Sequence, residues 1–331
     1  MTALRDEHDV LLVDLDGTVY RGSHAVPGAV DALSASSPRR LFVTNNASRS
    51  PHEVAAALTR LGFTAGAADV VTSAQAAARV LAERLPAGAR VLVVGARALA
   101  EEVRRVGLDA VSAAADDPVA VVQGHSPDTA WPLLAEAALA IAAGALWVAT
   151  NVDPTLPSER GLLPGNGSMV AALRTATGAQ PLVAGKPARP LLDDAVARSH
   201  SRFPLVVGDR LDTDIEGANV LGARSLLVLT GVSTPLDLLR APTAQRPHLV
   251  AADLSALAAP ASASRIGPVA GWSADVVDGS LVLSCTDSGA DPVNGLRAAC
   301  GAAWEHPGFT DVRAAGAGAR AALRSWGLSS G

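Results

Sequence analysis

Lysine is almost missing from this chain: of 27 basic residues, 26 are arginine and one, Lys186, is lysine. Aromatic residues are scarce too, at 3% of 331, and cysteine and methionine occur twice each. Each shortage excludes something. No stretch gathers basic side chains into a stripe, so a nucleic-acid groove is not expected. Cys285 and Cys300 form no CxxC pair and offer no zinc set or disulfide framework, which suits a reduced, cytoplasmic protein. The longest apolar run, Ala137–Ala149, falls well short of the roughly 20 residues that cross a bilayer. The opening MTALRDEHDV is charged and lacks the apolar centre of a signal peptide. The net charge is −5, and neither a membrane nor a nucleic acid is expected as partner.

What is present is aliphatic. Apolar residues make up 49% of the chain, so the core is built from Ala, Val and Leu. Short runs without alternation recur at Val10–Val13, Leu41–Val43, Val91–Val94, Val119–Val122, Leu146–Ala149, Leu205–Val207 and Leu226–Leu229. Such runs predict parallel strands buried on both faces. Amphipathic Ala-rich stretches lie between them, at Glu53–Leu61, Ala74–Leu85, Leu133–Ala143, Met169–Thr175 and Leu191–Ser199. Ser50-Pro51-His52-Glu53 has the spacing of a capping box with proline at the first helical position. The repetition predicts an α/β fold of about two domains. After Leu257 the texture changes: 258–268 is rich in Ala, Ser and Pro and reads as a linker, and 269–331 reads as a small α+β appendage.

Four motifs carry chemistry. Asp14-Leu15-Asp16-Gly17-Thr18 leaves the C-terminal end of the first apolar strand, where open α/β sheets bind ligands. A solvated turn would also use Asp, Gly and Thr. Thr44-Asn45-Asn46 follows the second strand and offers a hydroxyl, amides and backbone N–H groups to phosphate oxygens, although it would equally serve as an approach to a helix. Gly185-Lys186-Pro187 holds the one ammonium in a chain that otherwise uses arginine, and a compact point charge suits tight quarters beside a phosphoryl group. Gly208-Asp209-Arg210-Leu211-Asp212-Thr213-Asp214 places more carboxylates at another strand's end. Oxygen donors without a Cys/His set point to Mg²⁺. Together the motifs predict one rim that gathers carboxylates, an amide–hydroxyl pair and an ammonium.

These residues resemble the four motifs of the haloacid dehalogenase (HAD) superfamily, in order, across about residues 8–257. Thr44 and Lys186 are about 140 residues apart, which leaves room for the inserted α/β cap of the 4-nitrophenylphosphatase-like, phosphoglycolate and pyridoxal phosphatase subgroup. The segments TNNASRS, VVQG, ATNVDPTLPSERGLLPGNGSMVAAL and VAGKP look closest to the actinobacterial glycerol-3-phosphate phosphatases of that subgroup. The resemblance implies a Rossmann-like HAD core with a parallel sheet (1–80 and 178–257), a cap over 81–177, and a magnesium-dependent phosphomonoesterase. Asp14 would be the nucleophile and a metal ligand. Asp16 would be the general acid and base, binding metal through its carbonyl. Asp209 would complete the ligands, and Thr44, Asn45 and Lys186 would hold the phosphoryl oxygens. Asn46 would support the loop or the phosphate, and Asp214, Arg49 and Arg210 would stand behind them. Substrate reading falls to Asn151–Ser168, with Asp153, Glu159 and Arg160, although the same residues would equally cap helices and brace loops. Glycerol 3-phosphate is the expected substrate and 2-phosphoglycolate the alternative; a phosphomutase or a metabolite-binding sensor are the rival readings. Caps of this type are compatible with a homodimer.

Two further candidates stand apart from these motifs. Val91–Gly95 ends a strand at glycine without the GxGxxG of a dinucleotide site. Arg313-Ala314-Ala315-Gly316-Ala317-Gly318 fits an acetyl-CoA-loop pattern, which an Ala/Gly-rich tail also makes by accident, so a structural or docking appendage is the expectation.

Overall fold

The computed structural model describes residues 2–34, 37–158 and 160–328. The chain divides into two compact units. One comprises Met1–Arg21, Ala25–Arg39 and Phe203–Gly331, the other Gly22–His24 and Arg40–Arg202.

In the first unit the strands Val10–Val13, Pro204–Gly208, Arg224–Val228 and Leu249–Ala251 lie side by side and parallel. All four residues of Val10–Val13 are buried, as are Leu205–Val207 and Leu226–Val228, which is why these segments are apolar without alternation. Val13 lies opposite Val207 in the register. The residues that follow these strands, Asp14 and Asp209, therefore leave neighbouring strands at the same end.

Residues 269–328 build a second small layer in this unit. Strand Ser280–Ser284 pairs antiparallel with Ser273–Val277 and parallel with Asp311–Ala315, and the helices Pro292–Glu305 and Ala317–Ser325 cover them. Their core is continuous with the preceding sheet: Leu281, Leu296, Cys300, Leu323 and Trp326 belong to one buried cluster with Leu227, Leu238 and Val250. Arg246 stacks on Trp304 at 5.1 Å, and the Trp304 indole donates to the Leu238 carbonyl at 3.0 Å. Such a cation–π contact contributes about 0.5–2 kcal/mol. The stretch 258–268 is ordered by short turns, with Ala261 and Ser264 buried. Both cysteines are free, buried thiols, and burial pushes the Cys300 thiol far up.

The second unit holds a five-stranded parallel sheet in the order Leu182–Val183, Leu146–Ala149, Ala120–Gln123, Arg90–Val94, Asp109–Val111. It also holds the parallel pair Arg39–Thr44 and Val70–Thr72. Helix Pro51–Arg60 starts at the expected capping box, with Ser50 N–H donating to Glu53 at 2.7 Å and Glu53 N–H donating to the Ser50 hydroxyl at 3.3 Å. Helices Ser73–Ala82 and Arg189–Ser199 are joined through buried Asp194, which accepts from Arg79 at 2.5 Å and Arg198 at 2.6 Å. Among the described residues no helix is long and apolar enough to cross a membrane.

His8 makes the first unit sensitive to acid. Its Nδ1–H donates to the Phe203 carbonyl at 3.1 Å, which leaves Nε2 as the unprotonated nitrogen, enclosed and without a partner. Burial holds its pKa below the ordinary 6.5. The unfolded chain takes up a proton near pH 6.5 while folded His8 does not, so stability is present above that pH and is lost as pH falls through it. Thermal melts between about pH 7.5 and pH 5.5 should show a falling midpoint, with a smaller fall in His8→Gln. Equal losses in both proteins would remove His8 from the account.

Candidate active site

The first unit gathers the acidic residues. Asp14 N–H donates to the Val207 carbonyl at 2.9 Å and so extends the strand ladder by one residue. The chain then turns tightly, with Val19 N–H donating to the Leu15 carbonyl at 2.8 Å and Gly17 N–H to the Tyr20 carbonyl at 2.8 Å. Gly17 has φ +92°, and a Cβ there would be driven into the Asp209 carboxylate. Glycine is therefore required twice over, by conformation and by the close approach. Asp209 is fully buried; its carboxylate accepts from the Thr18 hydroxyl at 3.1 Å and from Val232 N–H at 2.7 Å. Asp214 is also fully buried and accepts from Arg210 N–H at 3.1 Å. Asp16 is exposed, and the Tyr20 hydroxyl donates to it at 3.3 Å.

Carboxylate oxygens of Asp14, Asp209 and Asp214 all lie within 4.8 Å of one another. Like charges that close repel by roughly 3–4 kcal/mol per pair at an effective dielectric of about 20. Two of the three have no contact with water. A buried all-oxygen set without cysteine or histidine fits a hard divalent cation such as Mg²⁺. Asp214, placed behind the metal in the sequence reading, stands inside this cluster. Arg210 pairs with Asp212 at 2.7 Å.

The second unit gathers the remaining motif residues. Thr44 is buried, and its hydroxyl oxygen accepts from Asn46 N–H at 3.1 Å, which directs the hydroxyl proton elsewhere. The Asn45 amide brackets Lys186: its Oδ1 accepts from Lys186 N–H at 2.8 Å, and its Nδ2 donates to the Lys186 carbonyl at 3.0 Å. The same Nδ2 lies 3.2 Å from the Asp153 carboxylate. Asn46 Oδ1 accepts from Ser48 N–H at 2.8 Å and from the Ser48 hydroxyl at 2.7 Å, which braces the loop. Lys186 is 2% exposed, and its ammonium donates to the Val43 carbonyl at 3.0 Å. Arg49 lines a cleft of about 740 Å³ with Ser48, Glu53 and Arg97. Arg160 is exposed. Glu159 lies outside the described residues.

Sequence reasoning did not single out the loop 231–233. Val232 N–H binds Asp209, Ser233 N–H donates to the Asp209 carbonyl at 3.1 Å, and a Cβ at Gly231 would be driven into the same carboxylate. Its one signal is a glycine shortly after the strand Arg224–Val228.

Residues 11–109 match the haloacid dehalogenase-like hydrolase model, and 183–257 match a HAD-hydrolase-like model. The chain belongs to the haloacid dehalogenase-like hydrolases. It is 54% identical to the D-glycerol 3-phosphate phosphatase of Mycobacterium tuberculosis, covering 99% of this chain and 96% of that protein. It is 39% identical to rat chronophin over 70% of this chain and 81% of that one. The crystal structure of the M. tuberculosis glycerol phosphate phosphatase in complex with magnesium superposes with a TM-score of 0.94, at 55% identity and 99% coverage of both chains. A p-nitrophenyl phosphatase from Archaeoglobus fulgidus gives 0.70, at 29% identity over 76% of this chain and 98% of that one.

Residues 269–328 match a GCN5-related N-acetyltransferase-like domain, so the tail pattern has a domain behind it and is not an accident of composition. Its glycines serve packing. A Cβ at Gly316 or Gly318 would strike the backbone of Cys285 or Asp287. Gly318 and Ala319 N–H groups donate to the Cys285 carbonyl at 3.0 and 3.3 Å, so these two amides at the start of the helix are engaged within the fold.

Proposed function

We propose that this enzyme is a magnesium-dependent phosphomonoesterase that converts glycerol 3-phosphate to glycerol and phosphate through an aspartyl-phosphate intermediate on Asp14. The observation that carries the reading is the meeting within 4.8 Å of two carboxylates that leave adjacent strands, Asp14 and Asp209, with Asp214 of the following turn, in a chain 54% identical to a D-glycerol 3-phosphate phosphatase.

A carboxylate oxygen of Asp14 attacks phosphorus, and the bond to the glycerol oxygen breaks. Exposed Asp16 delivers a proton to the leaving alkoxide. It then takes a proton from the water that attacks phosphorus, which releases phosphate and restores the Asp14 carboxylate. Asp14, Asp209 and the Asp16 carbonyl, with Asp214 beside them, would hold Mg²⁺, which would supply the positive charge that offsets the repulsion between carboxylate and phosphate. The Thr44 hydroxyl and the Lys186 ammonium donate to phosphoryl oxygens where charge spreads in the transition state. The Asn45 amide, engaged with both ends of Lys186, sets the direction of that lysine. Buried free thiols agree with a cytoplasmic location.

The test is a panel of small phosphomonoesters read by free-phosphate release. Glycerol 3-phosphate should give the highest kcat/KM. Faster hydrolysis of 2-phosphoglycolate would overturn the substrate, and an isomeric phosphate ester without free phosphate would overturn the phosphatase in favour of a mutase.

A further inference from the structure

The amide of Asn45 directs Lys186, but Asn45 is itself held. Its backbone carbonyl accepts from Asn151 Nδ2 at 2.7 Å and from the Ser73 hydroxyl at 2.6 Å. The Asn151 side-chain oxygen accepts from Asp153 N–H at 3.2 Å, which fixes which end of the amide faces Asn45. The Asn151 carbonyl in turn accepts from Asn166 Nδ2 at 2.7 Å. Asn166 begins the helix Asn166–Thr177, and the same Nδ2 lies 3.4 Å from the Gln123 carbonyl. Gln123 closes the run, accepting from the Trp147 indole at 3.2 Å.

Three buried amide residues and the half-buried Asn45 thus connect the strand ends Gln123 and Ala149, the start of a helix, the Thr44–Asn46 loop and the lysine loop. Asn151 is 4% exposed and Asn166 2%. Side-chain amides are costly to enclose, and an aliphatic core residue would fill the same volume without that cost. The backbone is shaped around them: a Cβ at Gly185 would stand 2.6 Å from Asn45 Oδ1, and one at Gly167 would strike the carbonyl of Val152, next to Asn151. The links join side chain to backbone, so each amide fixes the position of a segment and not merely the rotamer of its neighbour.

We infer that Asn151 and Asn166 are positioning residues for the phosphoryl transfer, acting through Asn45 to place the Lys186 ammonium. The inference rests on the function proposed above, which gives Lys186 its task. It separates two jobs within Asn151–Ser168: these two buried asparagines hold the catalytic loops, whatever the exposed residues of the segment contact.

The sharpest perturbation is Asn151→Asp, which keeps the shape and the oxygen facing Asp153 N–H but puts an oxygen against the Asn45 carbonyl. The measurement is kcat and KM on the phosphomonoester that the wild type turns over fastest, with the folded fraction taken from circular dichroism. kcat should fall roughly 10–100-fold with KM within about threefold, as for loss of an interaction made only in the transition state. In an Asn45→Ala background the same substitution should cost less than about threefold, because the relay is already cut. Asn166→Asp, one link further out, should lower kcat in the same direction and lose its effect in the same background; it carries the cycle if Asn151→Asp does not fold. A folded variant with wild-type kcat, or a full additive loss in the Asn45→Ala background, overturns the inference. Lys186→Ala keeps the two readings apart. If it retains wild-type kcat, the assignment of Lys186 falls; if it is inactive while Asn151→Asp and Asn166→Asp are not, only the relay falls.

Discussion

Asp14→Asn should reduce turnover by about 10⁴-fold or more while the protein remains folded, because the substitution removes the nucleophile together with one of the proposed metal ligands. Its backbone N–H still meets the Val207 carbonyl, and the shape of the side chain is kept. The electrostatics add a second, independent expectation. Asp14 shares its surroundings with Asp209 and Asp214, whose oxygens lie within 4.8 Å. Neutralising one of the three carboxylates weakens the hold on a cation, so added Mg²⁺ should raise the melting temperature of the variant less than that of the wild type. A variant that keeps appreciable activity removes Asp14 as the nucleophile. One that Mg²⁺ stabilises as much as it does the wild type removes Asp14 from the metal ligands.

Chelation should have the next largest effect. EDTA should abolish activity and Mg²⁺ should restore it, because the oxygens of Asp14 and of the two fully buried carboxylates Asp209 and Asp214 lie within 4.8 Å of one another, an all-oxygen set that suits a divalent cation. The same ion should appear as stability. At about a hundredfold excess over its dissociation constant, a ligand bound only by the folded state contributes about 2.7 kcal/mol. Added Mg²⁺ should therefore raise the melting temperature of the wild type by several degrees and leave Asp209→Asn nearly unmoved. Full activity in chelator would remove the metal from the mechanism. A magnesium-dependent rise in melting temperature that persists in Asp209→Asn would place the ion elsewhere.

How far the sequence carried the fold can be judged element by element. Val10–Val13 and Leu146–Ala149 are strands over the expected residues, and Leu41–Val43 and Leu205–Val207 extend by one or two at each side. Buried parallel strands advertise themselves through unbroken Val and Leu. Strands Val70–Thr72, Asp109–Val111 and Leu249–Ala251 were not singled out, since three residues are too few to establish a period. The capping box at Ser50 was legible because every part of it lies within four residues. Within the appendage, the strands Ser273–Val277 and Asp311–Ala315 are hard to read from sequence because they are only partly buried and mix Asp, Ser, Arg and Ala with Val.

The site divides the same way. Asp14, Asp16 and Asp209 were readable as carboxylates leaving apolar strands, and Lys186 through the rarity of its type. The place of Asp214 among the clustered oxygens was not, because it depends on how the widened turn Leu211–Ile215 winds. Nor was the doubled grip of Asn45 on Lys186, a contact across 141 residues. Asn151 and Asn166 stood inside a segment marked for substrate reading, and only their tertiary partners show that they face the catalytic loops. Local pattern names the residues that carry charge; the amides that aim them are set by the fold.

The most direct measurement is to quench the enzyme in acid during turnover of glycerol 3-phosphate and map the phosphoryl group by peptide mass spectrometry. A phosphoryl group on the peptide that contains Asp14, labile to base and absent from Asp14→Asn, is the expected result. Turnover that proceeds with no phosphorylated peptide, or with the phosphoryl group on another residue, would contradict it.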